Sequence, residues 1–309
     1  MNIDIIYHGN CADGFTGAWC AYTHFKPFID FRKEVIVNET TGSIQYSLTE
    51  NSYNGKLTFH PGVYGKPPPD ISDSGFVYLI DFSYKRGIIE KILEKAFYVI
   101  ILDHHISAKN DLEGLYHKNL SMDLDLERSG AVIAWDWFHS KDTRPLLLGH
   151  IQDRDLWQFK LPNTREIQSS VFSFEYTFEN WDKLMSIDVS KDAQAYVNLI
   201  VEGQAIHRKH QKDIKELLSS CVRPMVIAGV EVPTASLPYT MASDAGEIMA
   251  KDHPFAATYY DTKEHRAFSL RSTVGIGLDV SKIAEYYGGG GHTNASGFKV
   301  PRDHLLAKS

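Results

Sequence analysis

A chain of 309 residues exceeds what one ordinary hydrophobic core supports and points to two domains. Its 43% hydrophobic and 23% charged residues exclude wholesale disorder, and a formal net charge of -7 argues against a protein that coats long nucleic acid by neutralising phosphates. Three scattered cysteines (Cys11, Cys20 and Cys221) without CxxC spacing, no 18-residue apolar run and no signal-peptide pattern lead to the expectation of a soluble cytoplasmic protein with reduced thiols.

Ile3-Asp4-Ile5-Ile6-Tyr7 reads as a buried strand, followed by the polar loop His8-Gly9-Asn10-Cys11-Ala12-Asp13-Gly14 and a helix through Thr16 to Tyr22. Asp13 offers a hard oxygen ligand, and Gly14 lets the backbone turn sharply and approach a ligand; an Asp-Gly pair also fits a plain turn. From about Val35 to Phe59, short strand patterns at Val35-Ile36-Val37 and at Ile44, Tyr46 and Leu48 alternate with turn residues. The pair Asn54-Gly55 signals a hairpin, and residues 35–59 read as a β-rich insertion or lid. His60 to Asp70 holds four prolines, each without an amide donor, and reads as a rigid extended connector and not a central strand.

Phe76-Val77-Tyr78-Leu79-Ile80 is a further apolar strand that stops at Asp81. Lys85 to Ala96 sets Ile88, Ile89, Ile92, Leu93 and Ala96 on one helical face, and Val99-Ile100-Ile101-Leu102 then runs into Asp103-His104-His105. Strand, helix and strand at this length form a βαβ unit, and ligands of open α/β sheets sit beyond the carboxyl ends of the strands. Three apolar strands ending at His8/Asp13, Asp81 and Asp103-His104-His105 therefore converge at one sheet edge, with the oxygen and nitrogen donors that divalent metals take. Alone, the tripeptide fits a helix-capping acid and two surface imidazoles equally well.

Ser129 is a candidate N-cap for a helix through Phe138. A helical stretch from Pro145 to Ile151 leads into Gln152-Asp153-Arg154-Asp155-Leu156-Trp157, which by itself reads as a solvated turn with a local ion pair. One long helix from about Lys191 to Ser220 suits a bridge between domains. Strands near Met225–Ala228, Phe255–Tyr260 and Arg266–Arg271, with helices at Ser243–Lys251 and Val280–Tyr287, make a smaller α/β domain. The run Gly288-Gly289-Gly290-Gly291 before His292 reads as a loop of exposed amides able to nest an anion, or as a flexible hinge.

The ordered set Ala12-Asp13-Gly14, Asp81, Asp103-His104-His105, Asp153-Arg154-Asp155 and Gly289-Gly290-Gly291-His292 resembles the DHH phosphoesterases with a C-terminal DHHA1 domain, over most of the chain. The resemblance implies an α/β protein with an N-terminal parallel-sheet DHH domain at 1–190, a linker helix at 191–222 and a smaller α/β DHHA1 domain at 223–309. It also implies a hydrolase using one or two divalent ions, Mn²⁺ or Mg²⁺ or a similar metal, bound between the two domains. By position, Asp13, Asp81, His104 and Asp155 would hold one ion and Asp81 would bridge to a second. Asp155 is preferred to Asp153 because the family's fourth acid is followed by a small or apolar residue and then a bulky or glycine position, as in Asp155-Leu156-Trp157. His105 would face the substrate phosphate with Asp103 bracing both histidines, while Arg271, Gly289, Gly290, Gly291 and His292 would grip the rest of the substrate. The first motif departs from the family's H-x-x-x-D-x-D spacing: Cys11 stands at the first acid, Tyr7 at the histidine, and His8 is displaced by one. The second ion then rests on His8, with Cys11 as a weak ligand or a bystander; a related branch of the family carries Cys-x-Asp-Gly here.

The implied activity is 3′-5′ hydrolysis of short oligonucleotides, or of related small nucleotides. Cyclic-dinucleotide phosphodiesterase, inorganic polyphosphatase or pyrophosphatase, and an inactive nucleotide-binding protein are the competing readings. The expected partner is a short nucleic acid or nucleotide, with no long-duplex or membrane binding, and a homodimer is compatible with the sequence.

Overall fold

Apolar runs of five or six residues become strands here because helices cover both sheet faces, so most side chains of β-strands at the centre of the sheet are buried. In the computed structural model, which describes residues 2–50, 53–140 and 142–308, the first unit spans Met1–Ile206. It runs β1 (Ile3–His8), α1 (Ala12–Phe25), β2 (Ile36–Asn38), β3 (Ser43–Glu50), β4 (Tyr53–Gly62), β5 (Phe76–Ile80), α2 (Arg86–Lys95) and β6 (Tyr98–Asp103). Then come α3 (Ile106–Leu112), β7 (Leu120–Leu124), α4 (Gly130–His139), α5 (Leu146–Asp155), α6 (Thr164–Val171), α7 (Phe178–Met185) and the long α8 (Ala193–Cys221).

The seven strands lie in the order β2-β3-β4-β1-β5-β6-β7. β4, β1, β5, β6 and β7 are mutually parallel, and β2 and β3 are antiparallel additions at one side. Alternate residues feed two cores: Ile5, Ile80, Ile100 and Leu102 pack with α1, α4, α5 and α7, whereas Ile6, Leu79, Val99 and Ile101 pack with α2 and Leu112 of α3. The register aligns Tyr7 with Ile80 and Ile80 with Leu102. The next residues, His8, Asp81 and Asp103, therefore form a row at the carboxyl edge, as the three polar strand ends led us to expect.

Three readings of the region before β5 change. The strands in 35–59 are not a lid, because β4 inserts between β3 and β1 and makes them part of the main sheet. His60, Pro61 and Gly62 belong to β4 and pair with Ile6, Tyr7 and His8. Proline is tolerated in this inner strand because Pro61 lies beyond the last β3 pair, Ile44 with Phe59, where no ladder partner awaits its missing amide. Asn54 and Gly55 pair with Thr49 and Leu48 inside the hairpin, and its connection, Asn51 and Ser52, lies outside the described residues. Register decides this: it sets the buried Leu57 and Phe59 opposite Tyr46 and Ile44 on the core face.

Trp181 of α7 anchors the larger core. It is fully buried, its Nε1 donates to Thr16 Oγ1 of α1 at 2.8 Å, and its ring meets Phe15 edge-on with centroids 4.9 Å apart. Trp181→Ala is expected to cost about 3–5 kcal/mol, read as a lower urea midpoint, through the cavity left in the core. A shift within 1 kcal/mol would show that α7 does not hold this core.

The division between units falls within α8. The second unit, His207–Ser309, adds β8 (Arg223–Ile227), β9 (Val230–Ser236), α9 (Ala242–Ala250), β10 (Ala256–Asp261), β11 (His265–Arg271), α10 (Val280–Tyr286), β12 (Gly290–His292), β13 (Ala295–Pro301) and α11 (Leu305–Lys308). Its six strands run β12-β13-β11-β10-β9-β8, antiparallel except for β9 beside β10. Among the described residues no helix is long and apolar enough to cross a membrane.

Candidate metal centre

The row at the carboxyl edge of the first sheet is where polar chemistry is buried. Asp13, Asp81 and Asp103 are each no more than 1% exposed. No lysine or arginine pairs with these three among the described residues; the close cationic groups are imidazoles. Taking an ionised carboxylate out of water costs several kcal/mol unless a cation or hydrogen bonds compensate it.

Asp81 sits at the centre. Its backbone has φ 54, a left-handed conformation that aspartate tolerates, and its amide donates to Leu102 O at 2.8 Å. Its two oxygens diverge: Oδ2 lies 3.2 Å from His8 Nδ1 and Oδ1 lies 3.0 Å from His104 Nε2. The same His104 nitrogen is 3.3 Å from Asp155 Oδ2 and 3.9 Å from Asp13 Oδ2. Asp81 belongs to three groups whose donor atoms lie within 4.8 Å of one another: Asp13, Asp81 and His104; His8, Cys11 and Asp81; and Asp81 with Asp103 and His105.

Local structure aims these groups. Asp13 stands in the first turn of α1, and its Oδ2 accepts the Ala131 amide at 3.2 Å, at the amino end of α4. Ser129 caps that helix as its sequence position suggests, accepting from Val132 N. The helix dipole there favours a carboxylate. Gly14 is required by protein packing, since a Cβ on it would lie 2.3 Å from His8 O. Asp103 Oδ1 accepts the amides of His104 and His105 and the His105 ring Nδ1 at 2.7 Å, which fixes that ring and its tautomer.

The charges are mutually strained. Burial, then the charges of Asp155 and Asp81, raise the Asp13 carboxyl well above its usual range; burial first also raises Asp155. Asp81 behaves oppositely: burial opposes ionisation, but hydrogen bonds from His104 and His8 hold it below the usual carboxylate range. His104 is raised well above its ordinary value, because the Asp155 charge and the Asp81 bond outweigh burial. Asp13 Oδ1 and Asp155 Oδ2 are buried without a hydrogen-bond partner. Crowded acids with orphaned oxygens around imidazole nitrogens fit a divalent cation, which would relieve the repulsion among the carboxylates.

Asp153 has another task. The acidic pair lies in the last turn of α5 and not in a solvated turn, so two residues of separation face the acids differently. Asp153 oxygens accept Lys160 N at 2.8 Å, Leu161 N at 3.0 Å and Thr164 Oγ1 at 2.6 Å. These bonds fasten the following loop, in which Trp157, Phe159 and Asn163 all adopt positive φ. Burial opposes ionisation of Asp153, but the hydroxyl and two amides outweigh it and hold the carboxyl low. A depressed folded pKa contributes stability that is complete above the unfolded value, near about 4, and is lost as pH falls through the folded value. Asp153→Asn is therefore expected to lose about 1–3 kcal/mol at pH 7, with the gap from wild type closing below about pH 4 in urea titrations; a gap independent of pH would contradict this.

Sequence reasoning missed Tyr64, which lies just beyond β4. Its ring meets His8 and His105 edge-on, with centroids 5.3 and 5.9 Å apart, and leans on Phe82 at 4.6 Å. The available signal was the ending of β4 beside β1, which brings the following residues to the same edge.

The remaining candidate residues are in the second unit. Arg271 ends β11, paired with Ala295, and its guanidinium donates to Leu270 O and Ser243 Oγ, both at 2.7 Å. The glycine run is not a loop of exposed amides. Gly288 and Gly289 donate to Glu285 O and Ala284 O and close α10, and Gly290, Gly291 and His292 form β12 against β13. Glycine is needed because a Cβ on Gly289 would lie 2.0 Å from Gly297 O. The neighbouring Tyr287 stacks on Phe298 at 4.4 Å as core, while Tyr286 is exposed.

No family model matches this chain. It is 30% identical over 304 residues to the uncharacterized protein R106 of Acanthamoeba polyphaga mimivirus, a match covering 95% of this chain and 66% of that protein. The chain thus spans just under two thirds of the length of this relative. Among solved structures, the pGpG-specific phosphodiesterase PggH from Vibrio cholerae superposes with a TM-score of 0.45 at 13% identity, over 97% of this chain and 94% of that one. The cytosolic domain of FeoB from L. pneumophila gives a TM-score of 0.23 at 12% identity, over 67% of this chain and 96% of that one. Neither likeness is close enough to bear on chemistry.

Proposed function

We propose that this chain is a divalent-metal-dependent phosphoesterase of the DHH type, hydrolysing phosphodiester bonds in short oligonucleotides or related small nucleotides. The observation that carries the reading is Asp81, whose two oxygens reach opposite ways to His8 and His104 within a ring of buried acids. Asp13, Asp81, His104 and Asp155 would hold one ion, and His8 and Asp81, with Cys11, a second. Held by these residues, divalent ions would supply Lewis acidity for activating water and neutralising charge on the attacked phosphate.

The chain's own groups do the rest. The Asp81 carboxylate stays ionised across the neutral range, which keeps both donor sets assembled. Asp103 holds His105 by Nδ1 and fixes its ring at the site, where the imidazole would meet a phosphate oxygen or pass a proton to the leaving alkoxide. Tyr64 covers the His8 and His105 rings and narrows the approach of water. The net charge of -7 disfavours long polyanions and leaves short ones to be held locally.

Product chromatography tests this over a panel of di- to pentanucleotides, cyclic dinucleotides and polyphosphate with Mn²⁺. Mononucleotide release from the short oligonucleotides, abolished by a chelator, is the expected result. Phosphate release from polyphosphate alone would assign the same centre to phosphoanhydrides, and no hydrolysis anywhere on the panel would overturn the reading.

A further inference from the structure

Two of the donor sets that share Asp81 differ in chemistry. Asp13, Asp81, Asp155 and His104 offer mainly carboxylate oxygen, which suits Mg²⁺ or Mn²⁺. His8, Cys11 and Asp81 offer one nitrogen, one sulfur and one oxygen from three different places in the chain, all within 4.8 Å of one another. Thiolate and imidazole favour borderline ions such as Zn²⁺ and Co²⁺, which also stand above Mn²⁺ in intrinsic affinity for such donors.

Cys11 is an unusual residue for the position it holds. It occupies the N-cap of α1 with extended backbone, φ -126 and ψ 134, where serine, threonine, aspartate or asparagine would accept a first-turn amide. Its sulfur makes no capping bond of ordinary geometry and takes only a weak contact from the Gly14 amide. It forms no disulfide, and it is only half-buried, unlike Cys20, whose sulfur is enclosed against Ala131 O. The sulfur is instead grouped with the His8 ring and the Asp81 carboxylate.

We infer that the Cys11 thiolate is a ligand at the His8/Asp81 position and makes the centre asymmetric, with a borderline ion of the Zn²⁺ or Co²⁺ class there and a harder ion on the Asp13/Asp155 side. The inference rests on the metal-centre reading above and assigns its ion choice. As the sulfur–metal bond forms, the thiol proton leaves to solvent and no oxidant or reductant is involved.

The test is anaerobic titration of the full-length, metal-stripped protein with Co²⁺, following the near-ultraviolet thiolate-to-cobalt charge-transfer band, with Mn²⁺ competition read by metal analysis. Wild type and Cys221→Ser are expected to show the band. Cys11→Ser and Cys11→Asp are expected to lose it while still binding cobalt, and Cys11→Asp to lose about 10- to 100-fold in preference for Co²⁺ over Mn²⁺. Cobalt bound by wild type without the band, or a band that survives in Cys11→Ser, would overturn the thiolate assignment and leave the metal centre standing. No cobalt binding in any variant would overturn both.

Discussion

Asp81→Asn lowers phosphoester turnover by about 10³-fold and removes bound divalent metal, with the fold unchanged by circular dichroism. The magnitude follows from a cation's contribution of several kcal/mol to stabilising transition-state charge, at 1.36 kcal/mol per tenfold in rate. Asparagine is the informative replacement. It matches aspartate in volume and shares its tolerance of the left-handed backbone, so the φ of 54 and the amide bond to Leu102 O persist. What changes is charge. His8 and His104 lose the anion that lies 3.2 and 3.0 Å from their ring nitrogens, and an amide with one oxygen cannot serve two donor sets at once. Metal content by atomic emission separates this from a general loss of activity: both ions should fall together, because Asp81 is common to both sets. Retained metal and retained turnover would reduce Asp81 to a structural acid holding two histidines.

The parts of the centre that were legible in the sequence are those generated by local pattern. β1, β5 and β6 are buried on both faces, so their apolar runs are nearly continuous and their polar ends stand out. That placed His8, Asp81 and Asp103 at strand ends, and their adjacency followed once parallel pairing was assumed. What failed to show was decided by tertiary approach. The entry of β4 into the sheet was masked by Pro61, which breaks a strand pattern but costs nothing beyond the end of β3. β9 was hidden by Pro233, paired with Pro224 on the edge strand β8, and β13 by its Ala-Ser-Gly start. The glycine run looked like a ligand cradle; its demand for glycine comes from Gly297 and Phe298 of the neighbouring strand. Asp153 and Asp155 could not be told apart by composition, because their difference is a matter of angle around one helical turn: one side chain reaches the loop after the helix and the other reaches His104.

Gly130→Ala should damage both stability and the centre, although nothing in its local sequence marks it. A Cβ at this position would lie 2.4 Å from Asp81 Cβ, 2.7 Å from Asp81 Cα and 3.0 Å from Asp13 Oδ2. Neither side can yield cheaply. Asp81 is tied into the sheet through Leu102, and α4 is buried along most of its length, from Gly130 through Trp135 and at Phe138. Overpacking of this kind costs about 1–3 kcal/mol, and backbone neighbours put it at the upper end. Relief by moving the amino end of α4 away would stretch the 3.2 Å bond from the Ala131 amide to Asp13, and a misplacement of about 1 Å in a catalytic geometry costs on the order of 10²-fold in rate. Gly149→Ala in α5 is the matched control. Its new methyl would meet only Leu161 Cδ1, at an ordinary 3.5 Å, and a helix-interior glycine replaced by alanine should gain about 0.5–1 kcal/mol. Urea midpoints and metal content of the two variants measured side by side decide the point. Equal stability of the two would mean that α4 does not press on Asp81, and the close approach that assembles Asp13 and Asp81 would have to be given up.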